Sequence, residues 1–498
     1  MVSLRRLDGR SLSALPPDIR RPAYSPNAHG VGVVHLGVGG FHRAHQAVYL
    51  DEVLSREGGD WRVLGVSCRS AAARDRLRQQ DYLYSLAELS SHSVHFRVIG
   101  SLADVLVAPE DPDAVIAALA RPATRLVTLT VTEKGYCRNT LTGGLDPHHP
   151  DIAHDLAQPD RPRSAPALLV QGLRRRWQRG IAPPTVVSCD NLPQNGRVLK
   201  RVLVELAQAL EPAAAQWLER SVPCPCTVVD RIVPATTPTD IESAATAIGA
   251  LDQALVKTEP FTQWVIEDNF AGPRPRLEVA GAQFVSDVRP FELAKLRLLN
   301  GSHSALAYLG RLAGFSFVHE VIARPEYLAF IRYLMQSELA PTLEPTSALD
   351  VLSYQSALLR RFSNSALAHR LEQIAADGSQ KVPLRLLQPL LVRLRQGRRY
   401  DALTLVVAGW MRYVLGSDEL GRRHAVDDPL AAEFAKIAAA SSQDPHDLVD
   451  RFLELSEVFG DELPGYGNFR DNLAGSLALL MSVGARAAVG TVARQRQQ

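Results

Sequence analysis

One stretch of the sequence decides the fold: Val33-Val34-His35-Leu36-Gly37-Val38-Gly39-Gly40-Phe41-His42-Arg43-Ala44-His45-Gln46. It predicts a buried strand, a glycine turn and a helix. Gly37 and Gly39 let the backbone approach a pyrophosphate, which then binds the free amides at the helix N-terminus. The fingerprint is incomplete, because Phe41 and His42 stand where a third glycine is sought, but both are still predicted to contact the cofactor. Arg43 is either a further charge for a phosphate or a solvated first-turn residue.

The same alternation of apolar strands and helices continues through the first half of the chain. Strands are predicted at 62–68, 125–131 and 184–189, and helices at 41–56, 113–120, 165–179 and 195–210. Strands that alternate with helices build a parallel sheet covered on both faces. Two segments, 82–89 and 94–99, predict an added hairpin.

After residue 288 the pattern becomes helical throughout. Helices are predicted at 291–312, 324–338, 350–362, 382–396, 400–415, 429–440, 446–458 and 467–491. A chain of 498 residues is also longer than one hydrophobic core usually organises. We therefore predict a Rossmann-type α/β dinucleotide-binding domain over 1–288 and an all-α domain over 289–498.

Composition narrows the class of protein. A net charge of +2 gives no electrostatic reason to expect a nucleic-acid partner. Five cysteines, an odd number, fit a reducing compartment better than a disulfide framework. No apolar signal segment follows Met1, and Arg412 and Arg486 interrupt the C-terminal apolar runs. We expect a cytoplasmic protein that does not enter a membrane.

The position that reads the adenosine ribose has an unusual charge. A dinucleotide fold usually places an acidic residue after the second strand. This chain has Arg69 there, with Arg74 following, and no carboxylate before Asp75. By charge alone a 2′-phosphate is acceptable, so NAD and NADP both remain possible; Arg69 is otherwise a surface residue.

A second polar cluster lies in the apolar helical pattern of residues 295–309. On an α-helix at about 100° per residue, with Lys295 at 0°, His303 falls near 80° and Asn300 near 140°. A lysine desolvated by leucines loses ammonium hydration, so its pKa falls and it can accept a proton near neutral pH. The amide and imidazole can hold a substrate oxygen. The alternative is an amphipathic helix with a solvated lysine and a core histidine.

Together these two stretches resemble the polyol-specific long-chain dehydrogenase/reductase (mannitol dehydrogenase) family. Its Lys, four residues, Asn, two residues, His signature matches at Lys295, Asn300 and His303, and the resemblance runs from Ala23 to beyond Trp410. It implies an oxidoreductase that uses NAD without zinc and acts as a monomer. Lys295 would be the base, Asn191 and Asn300 would hold the substrate oxygen, and His303 would position a hydroxyl group.

The resemblance assigns further residues, each with a structural alternative. Glu133 would line a proton route, with Glu292 as a second candidate; otherwise Glu133 is an exposed loop acid. Asp230 and Arg231 would face the substrate, unless they form a buried ion pair. The alternative for Asn191 and for Asp190 is a cap at the start of the helix at 195–210.

Two basic residues of the helical domain can bind the distal end of a substrate. Arg370 and Lys381 can capture hydroxyl groups or a carboxylate, or they cap helix ends. Motifs including Asp377-Gly378-Ser379-Gln380-Lys381 resemble the hexuronate-reductase branch, whose substrates are fructuronate and mannonate or tagaturonate and altronate. Mannitol, arabinitol or sorbitol is the alternative, although Gln373 replaces the arginine of the mannitol-specific branch. The remaining alternative is an inactive cofactor-binding protein.

Residues 137–165 predict a long solvated loop. It contains His148, His149, Asp151 and His154, which lack the regular spacing of a metal site. The pair Cys224 and Cys226 is too tightly spaced for zinc. No metal site is predicted.

Overall fold

The computed structural model describes residues 5–139, 142–440 and 444–494. It contains two compact units, Met1–Arg289 and Pro290–Gln498. The predicted fold class is confirmed in both: a parallel-sheet domain comes first and a helical domain follows.

The first unit is built on a five-stranded parallel sheet in the order β5-β2-β1-β6-β7. Its strands, with those of two smaller sheets, are β1 Val31–Leu36, β2 Arg62–Ser67, β3 Tyr84–Leu89, β4 Val94–Ile99, β5 Leu102–Val107, β6 Leu126–Leu129, β7 Thr185–Ser188, β8 Thr227–Asp230, β9 Val256–Thr258, β10 Gln263–Glu267 and β11 Gln283–Val285. The strand order reverses between β1 and β6, and ligands of such sheets bind at this point, outside the carboxyl ends of the strands.

Helices cover both faces of the sheet. They are α1 Gly40–Ala44, α2 Gln46–Glu57, α3 Ala72–Arg78, α4 Pro112–Ala120, α5 Pro150–Ala157, α6 Ala165–Gln178, α7 Asn195–Leu210, α8 Pro212–Ser221 and α9 Pro238–Ile248. Val34 and Leu36 of β1 pack in the core with α4, α6 and α7, whereas Val33 packs in a second core with α2. Burial on both faces explains why β1 is apolar apart from His35.

Three local features differ from the sequence prediction. The first helix is broken at His45, whose backbone (φ −124°, ψ −90°) separates α1 from α2. Strand β5 was not predicted; it lies at the edge of the sheet, and its burial is irregular around Asp104. Helix α5 lies within the loop predicted to be solvated, and Ile152 is fully buried. The predicted hairpin is present as β3 and β4.

The described part of the second unit consists of helices joined by turns and loops, the longest of which is 415–430. The helices are α10 Arg289–Ala294, α11 Gly301–Leu312, α12 Val318–Ile322, α13 Pro325–Tyr333, α14 Val351–Phe362, α15 Leu371–Ala375, α16 Gly378–Val382, α17 Gln388–Arg395, α18 Asp401–Val414, α19 Ala431–Ala440, α20 Pro445–Leu453, α21 Ser456–Phe459 and α22 Gly467–Arg494. Three π-helical segments, Lys295–Asn300, Leu334–Leu339 and Pro383–Leu387, continue neighbouring helices.

Helix α22 is the one described helix long and apolar enough to cross a membrane. Gly484 interrupts it with a positive φ of 78°. Its most apolar window is 44% buried inside the protein, and Leu473, Leu477 and Val489 are almost completely enclosed. The helix packs on α18 and α13, so within this unit it serves as a core helix.

Candidate active site

The glycine turn after β1 leaves bare backbone at the carboxyl edge of the sheet. Gly37 has φ +103°, and a Cβ there would lie 2.1 Å from the carbonyl oxygen of Thr130. Its N–H donates to the Val66 carbonyl at 2.9 Å, which ties the turn to β2. A Cβ on Gly39 would meet only the Gly37 oxygen, at 3.9 Å. The turn therefore fits the close backbone approach that a dinucleotide requires, because a Cβ on Gly39 would meet no side chain of the described residues within 4 Å.

His35 supports this turn from inside the sheet. Its Nε2 lies 3.0 Å from the Gly37 carbonyl oxygen and 2.9 Å from Thr130 Oγ1, and its Nδ1 lies 2.7 Å from Thr128 Oγ1. Burial lowers the pKa of His35 to about 3, so the ring is neutral. A carbonyl only accepts, so Nε2 carries the hydrogen and Nδ1 accepts from the Thr128 hydroxyl. The sequence analysis missed this role, because strand periodicity marks His35 only as buried.

The three residues after the turn are held within the first unit. The ring of His42 is fully buried and stacks on His35 with 3.4 Å between centroids. Phe41 stacks on His45 at 5.0 Å. The guanidinium of Arg43 lies 5.4 Å from the ring of Tyr84 and donates to the Ala254 carbonyl. Cofactor contacts by these three residues stay predictions.

Arg69 is exposed directly after β2. Arg74, the other basic residue considered for the ribose position, is engaged by the carboxylates of Asp75 and Glu110. This pairing leaves Arg69 as the better placed of the two for a 2′-phosphate.

Asp190 joins the carboxyl ends of β6 and β7. Its carboxylate accepts from the N–H groups of Val131 and Thr132, at 3.1 and 2.8 Å, and from the Tyr136 hydroxyl at 2.8 Å. These bonds hold the segment that carries Glu133 next to Asp190, the residue before Asn191. Glu133 and Asn191 are both exposed. The N-cap residue of α7 is Gln194, whose side chain makes no capping hydrogen bond, so neither Asp190 nor Asn191 stands at the N-cap position.

Asn195 is a second buried clamp that the sequence analysis missed. Its Nδ2 lies within 3.2 Å of the carbonyl oxygens of Ser188, Asp190 and Thr227. It therefore fixes the end of β7 against β8, where Asp230 is the last residue and is buried. The amide cannot be recognised from the sequence, because its acceptors are backbone carbonyls and the Thr227 hydroxyl, which only the fold brings together.

Arg231 lies in the interior of the first unit. Its side chain is 1% exposed and forms an ion pair with Glu88 at 2.6 Å. It also donates to the carbonyl oxygens of Ala44 and Glu259. The residue thus forms a buried ion pair, with Glu88 as its partner. Substrate contacts by Asp230 and Arg231 stay predictions.

In the second unit, Lys295 and Asn300 begin and end a π-helical segment. The N–H of Gly301 bonds to the carbonyl of Leu296, five residues back. Residues five apart are neighbours along a π-helix, so Asn300 follows Lys295 by one turn rather than lying about 140° around an α-helix. The two side chains are partly exposed. π-helical turns occur frequently at functional sites.

His303 lies one α-helical turn further on and is 8% exposed. Its ring contacts Phe362 and His369, with centroid distances of 4.8 and 5.1 Å. Burial, and repulsion from His369, Arg361 and Arg385, hold its pKa well below the usual value, so the ring is neutral. Within the described residues its Nε2 has no hydrogen-bond partner, which fits a site for a polar ligand.

The two basic residues predicted to bind the distal end of a substrate make local contacts. Lys381 donates to the Ala376 carbonyl and lies 3.8 Å from Asp377, and burial lowers its pKa. Arg370 is exposed, and its guanidinium lies 5.7 Å from the ring of Phe317. The Lys381 contact matches the helix-end alternative. Substrate binding by both residues stays a prediction.

One group of possible metal ligands lies in the first unit. Donor atoms of Cys137, His149 and Asp151 lie within 4.8 Å of one another. His149 Nδ1 accepts the Asp151 N–H at 3.2 Å and so caps α5, whereas His154 pairs with Asp155. Burial, with nearby carboxylates, raises the pKa of the Cys137 thiol to about 12. The sequence analysis did not connect Cys137 with the histidines of this loop.

Comparison with known proteins identifies the family. Residues 31–279 match the Mannitol dehydrogenase Rossmann domain, and residues 287–480 match the Mannitol dehydrogenase C-terminal domain. D-mannonate oxidoreductase of Escherichia coli (strain K12) is 44% identical over 478 residues, covering 95% of this chain and 98% of that protein. Mannitol 2-dehydrogenase of Aspergillus fumigatus is 40% identical over 471 residues, covering 92% of this chain and 93% of that protein.

A solved structure extends the likeness to three dimensions. The ternary complex of Pseudomonas fluorescens mannitol 2-dehydrogenase with NAD and D-mannitol has a TM-score of 0.84 and 38% sequence identity, covering 98% of this chain and 100% of that chain. With both domains matched over most of its length, the chain belongs to the mannitol dehydrogenase family of oxidoreductases.

Proposed function

We propose that the protein interconverts a secondary alcohol of an open-chain polyol or aldonate and the corresponding ketone. The π-helical turn from Lys295 to Asn300, followed by the unpartnered Nε2 of His303, is the observation that carries this proposal. NAD is the cofactor, and when bound it accepts or supplies the hydride. The open backbone at Gly39 and the NAD complex of the Pseudomonas fluorescens relative support that choice.

Each polar residue has one task in the proposed reaction. Lys295, uncharged, takes the hydroxyl proton as the carbinol carbon loses hydride, and it returns that proton in ketone reduction. Asn191 and Asn300 donate N–H groups to the oxygen on which negative charge develops. The neutral ring of His303 positions a neighbouring hydroxyl, and Glu133 with Glu292 passes the proton onward.

The proposed substrate pair is D-fructuronate and D-mannonate, or tagaturonate and altronate. Support comes from the resemblance of 377–381 to the hexuronate-reductase branch and from Gln373 in place of the arginine of the mannitol branch. A neutral pair such as mannitol and fructose is the second candidate, because named relatives of both kinds have similar identity, 44% and 40%. We also propose that the protein is a monomer. A cytoplasmic location is proposed as well, in keeping with the five free cysteines.

The proposal is tested by following reduced nicotinamide at 340 nm. The protein is incubated with NADH or NADPH and with fructuronate, tagaturonate, fructose and xylulose in turn. We expect consumption with a hexuronate, and faster with NADH than with NADPH. Consumption of ketoses alone would favour the neutral pair. A flat trace across the panel, with cofactor binding intact, would identify an inactive cofactor-binding protein.

We also propose that catalysis needs no metal, because the amides of Asn191 and Asn300 do the work that a Lewis-acidic ion does elsewhere. Dialysis against EDTA is therefore expected to leave the 340 nm rate unchanged. A Cys137→Ser variant, which removes one donor of the possible ligand group, is expected to keep full activity. Loss of activity on chelation with recovery on adding zinc would contradict this prediction.

A further inference from the structure

We propose that Arg385, with Arg361 close by, forms a carboxylate-binding subsite beside His303 and selects sugar acids over neutral polyols. The inference rests on the proposed function and specifies its substrate class. Arg385 was not singled out by the sequence, because a basic residue in a helical pattern ordinarily marks a solvated face.

The backbone places Arg385 next to the polar helix. Arg385 lies in the π-helical segment Pro383–Leu387, and a Cβ on Gly301 would lie 3.2 Å from its carbonyl oxygen. The two segments therefore pack backbone to backbone where α11 begins. Arg385 NH1 donates to Ser304 Oγ at 3.3 Å, so the guanidinium reaches the residue that follows His303.

The charge of Arg385 has no counter-ion within the described residues. No carboxylate lies within ion-pair distance of it, and Ser304 supplies its one side-chain hydrogen bond. The guanidinium is only partly exposed, and it stays charged in proteins. Partly buried cations without a partner are unfavourable and are commonly completed by an anionic ligand.

The groups around Arg385 also favour an anionic ligand. Arg361 is 7% exposed, and both arginines disfavour protonation of His303. His369 Nδ1, like His303 Nε2, lacks a hydrogen-bond partner among the described residues. Guanidinium and neutral imidazole groups together suit a carboxylate flanked by hydroxyl groups, which is the end of an open-chain sugar acid.

Lys381 is the less suitable cation for this task. Asp377 lies 3.8 Å from its amine, and the charges of Asp427 and Asp428 also act on it. Asp428 is itself bonded to Ser379, at 2.6 Å from the hydroxyl. The negative charge of this region therefore compensates Lys381, whereas Arg385 can form two parallel N–H bonds with a carboxylate.

The test compares acid and neutral substrates in one variant. Arg385→Gln is expected to raise KM for a sugar acid by about 10- to 100-fold, because hydrogen bonds to a charged group are lost. The kcat for the acid and the kcat/KM for a neutral ketose or polyol should stay near the wild-type values. Arg385→Lys should recover part of the loss, since it keeps the charge. Arg398→Gln, at an exposed site of the same unit, is the matched control and should behave as the wild type.

The outcomes separate this inference from the proposed function. If the wild type turns over sugar acids but Arg385→Gln weakens acid and neutral substrates equally, the subsite is wrong and the function stands. If the wild type turns over only neutral substrates, the proposed substrate fails, and inhibition by D-mannonate then tests the subsite directly. An inhibition constant unchanged in Arg385→Gln would reject it. Equal melting temperatures establish that the variants fold.

Discussion

Lys295→Ala is expected to lower turnover by about 10²- to 10⁴-fold, the range that a positioned general base contributes. Lys295 is partly exposed at the start of the π-helical segment, whereas Leu298 and Leu299 of the same turn are buried. Removing the amine therefore leaves the core intact, and the melting temperature and NAD affinity should change little. The measurement is kcat for alcohol oxidation at 340 nm, beside NADH fluorescence titration.

The pH dependence distinguishes a base from a merely structural lysine. In the wild type, oxidation should slow as the pH falls, because a protonated amine cannot accept the hydroxyl proton. In Lys295→Ala this dependence should disappear, and a small added amine should restore part of the rate. Lys295→Met is the matched control for side-chain volume and should be as inactive as alanine. Near-wild-type turnover in either variant would reject Lys295 as the base.

Apolar patterning was sufficient to predict the fold of both units. The strands β1, β6 and β7 are almost completely buried, so each appears in the sequence as a short segment rich in apolar and β-branched residues. Strand β5 lacks this signature, because exposed and partly exposed positions around Asp104 interrupt its burial. The sequence therefore showed the well-buried strands, including β7 at one edge of the sheet, and missed β5 at the other edge.

The geometry of the polar site was harder to predict than the identity of its residues. Lys295, Asn300 and His303 were selected from residue type and spacing, but the π-helical turn has no residue signature. Such a turn depends on how the helix packs, so an α-helical projection misplaced Asn300. The contacts made by His35, Asp190 and Asn195 could not be predicted for a similar reason. Their partners are backbone groups or hydroxyls, mostly distant in the sequence, which sequence periodicity does not reveal.

Gly37→Ala is expected to lose stability, whereas Gly39→Ala is expected to lose NADH affinity. At Gly37 a methyl group would lie 2.1 Å from the Thr130 carbonyl oxygen on a backbone with φ +103°. Overpacking of this kind typically costs about 1–3 kcal/mol, and the left-handed backbone adds about 1–2 kcal/mol. Gly37→Ala should therefore lower the free energy of unfolding, measured by urea denaturation without cofactor.

Gly39→Ala should fold as the wild type does, because its new methyl group would meet nothing closer than 3.9 Å. The same methyl group would occupy the space in which a pyrophosphate approaches the backbone. If that overlap costs about 1–3 kcal/mol, NADH affinity falls by roughly 5- to 150-fold. Unchanged unfolding with weakened NADH binding, by fluorescence titration, would locate the dinucleotide at this turn. Wild-type NADH affinity in Gly39→Ala would mean that the cofactor binds elsewhere, since no folding defect could mask the result.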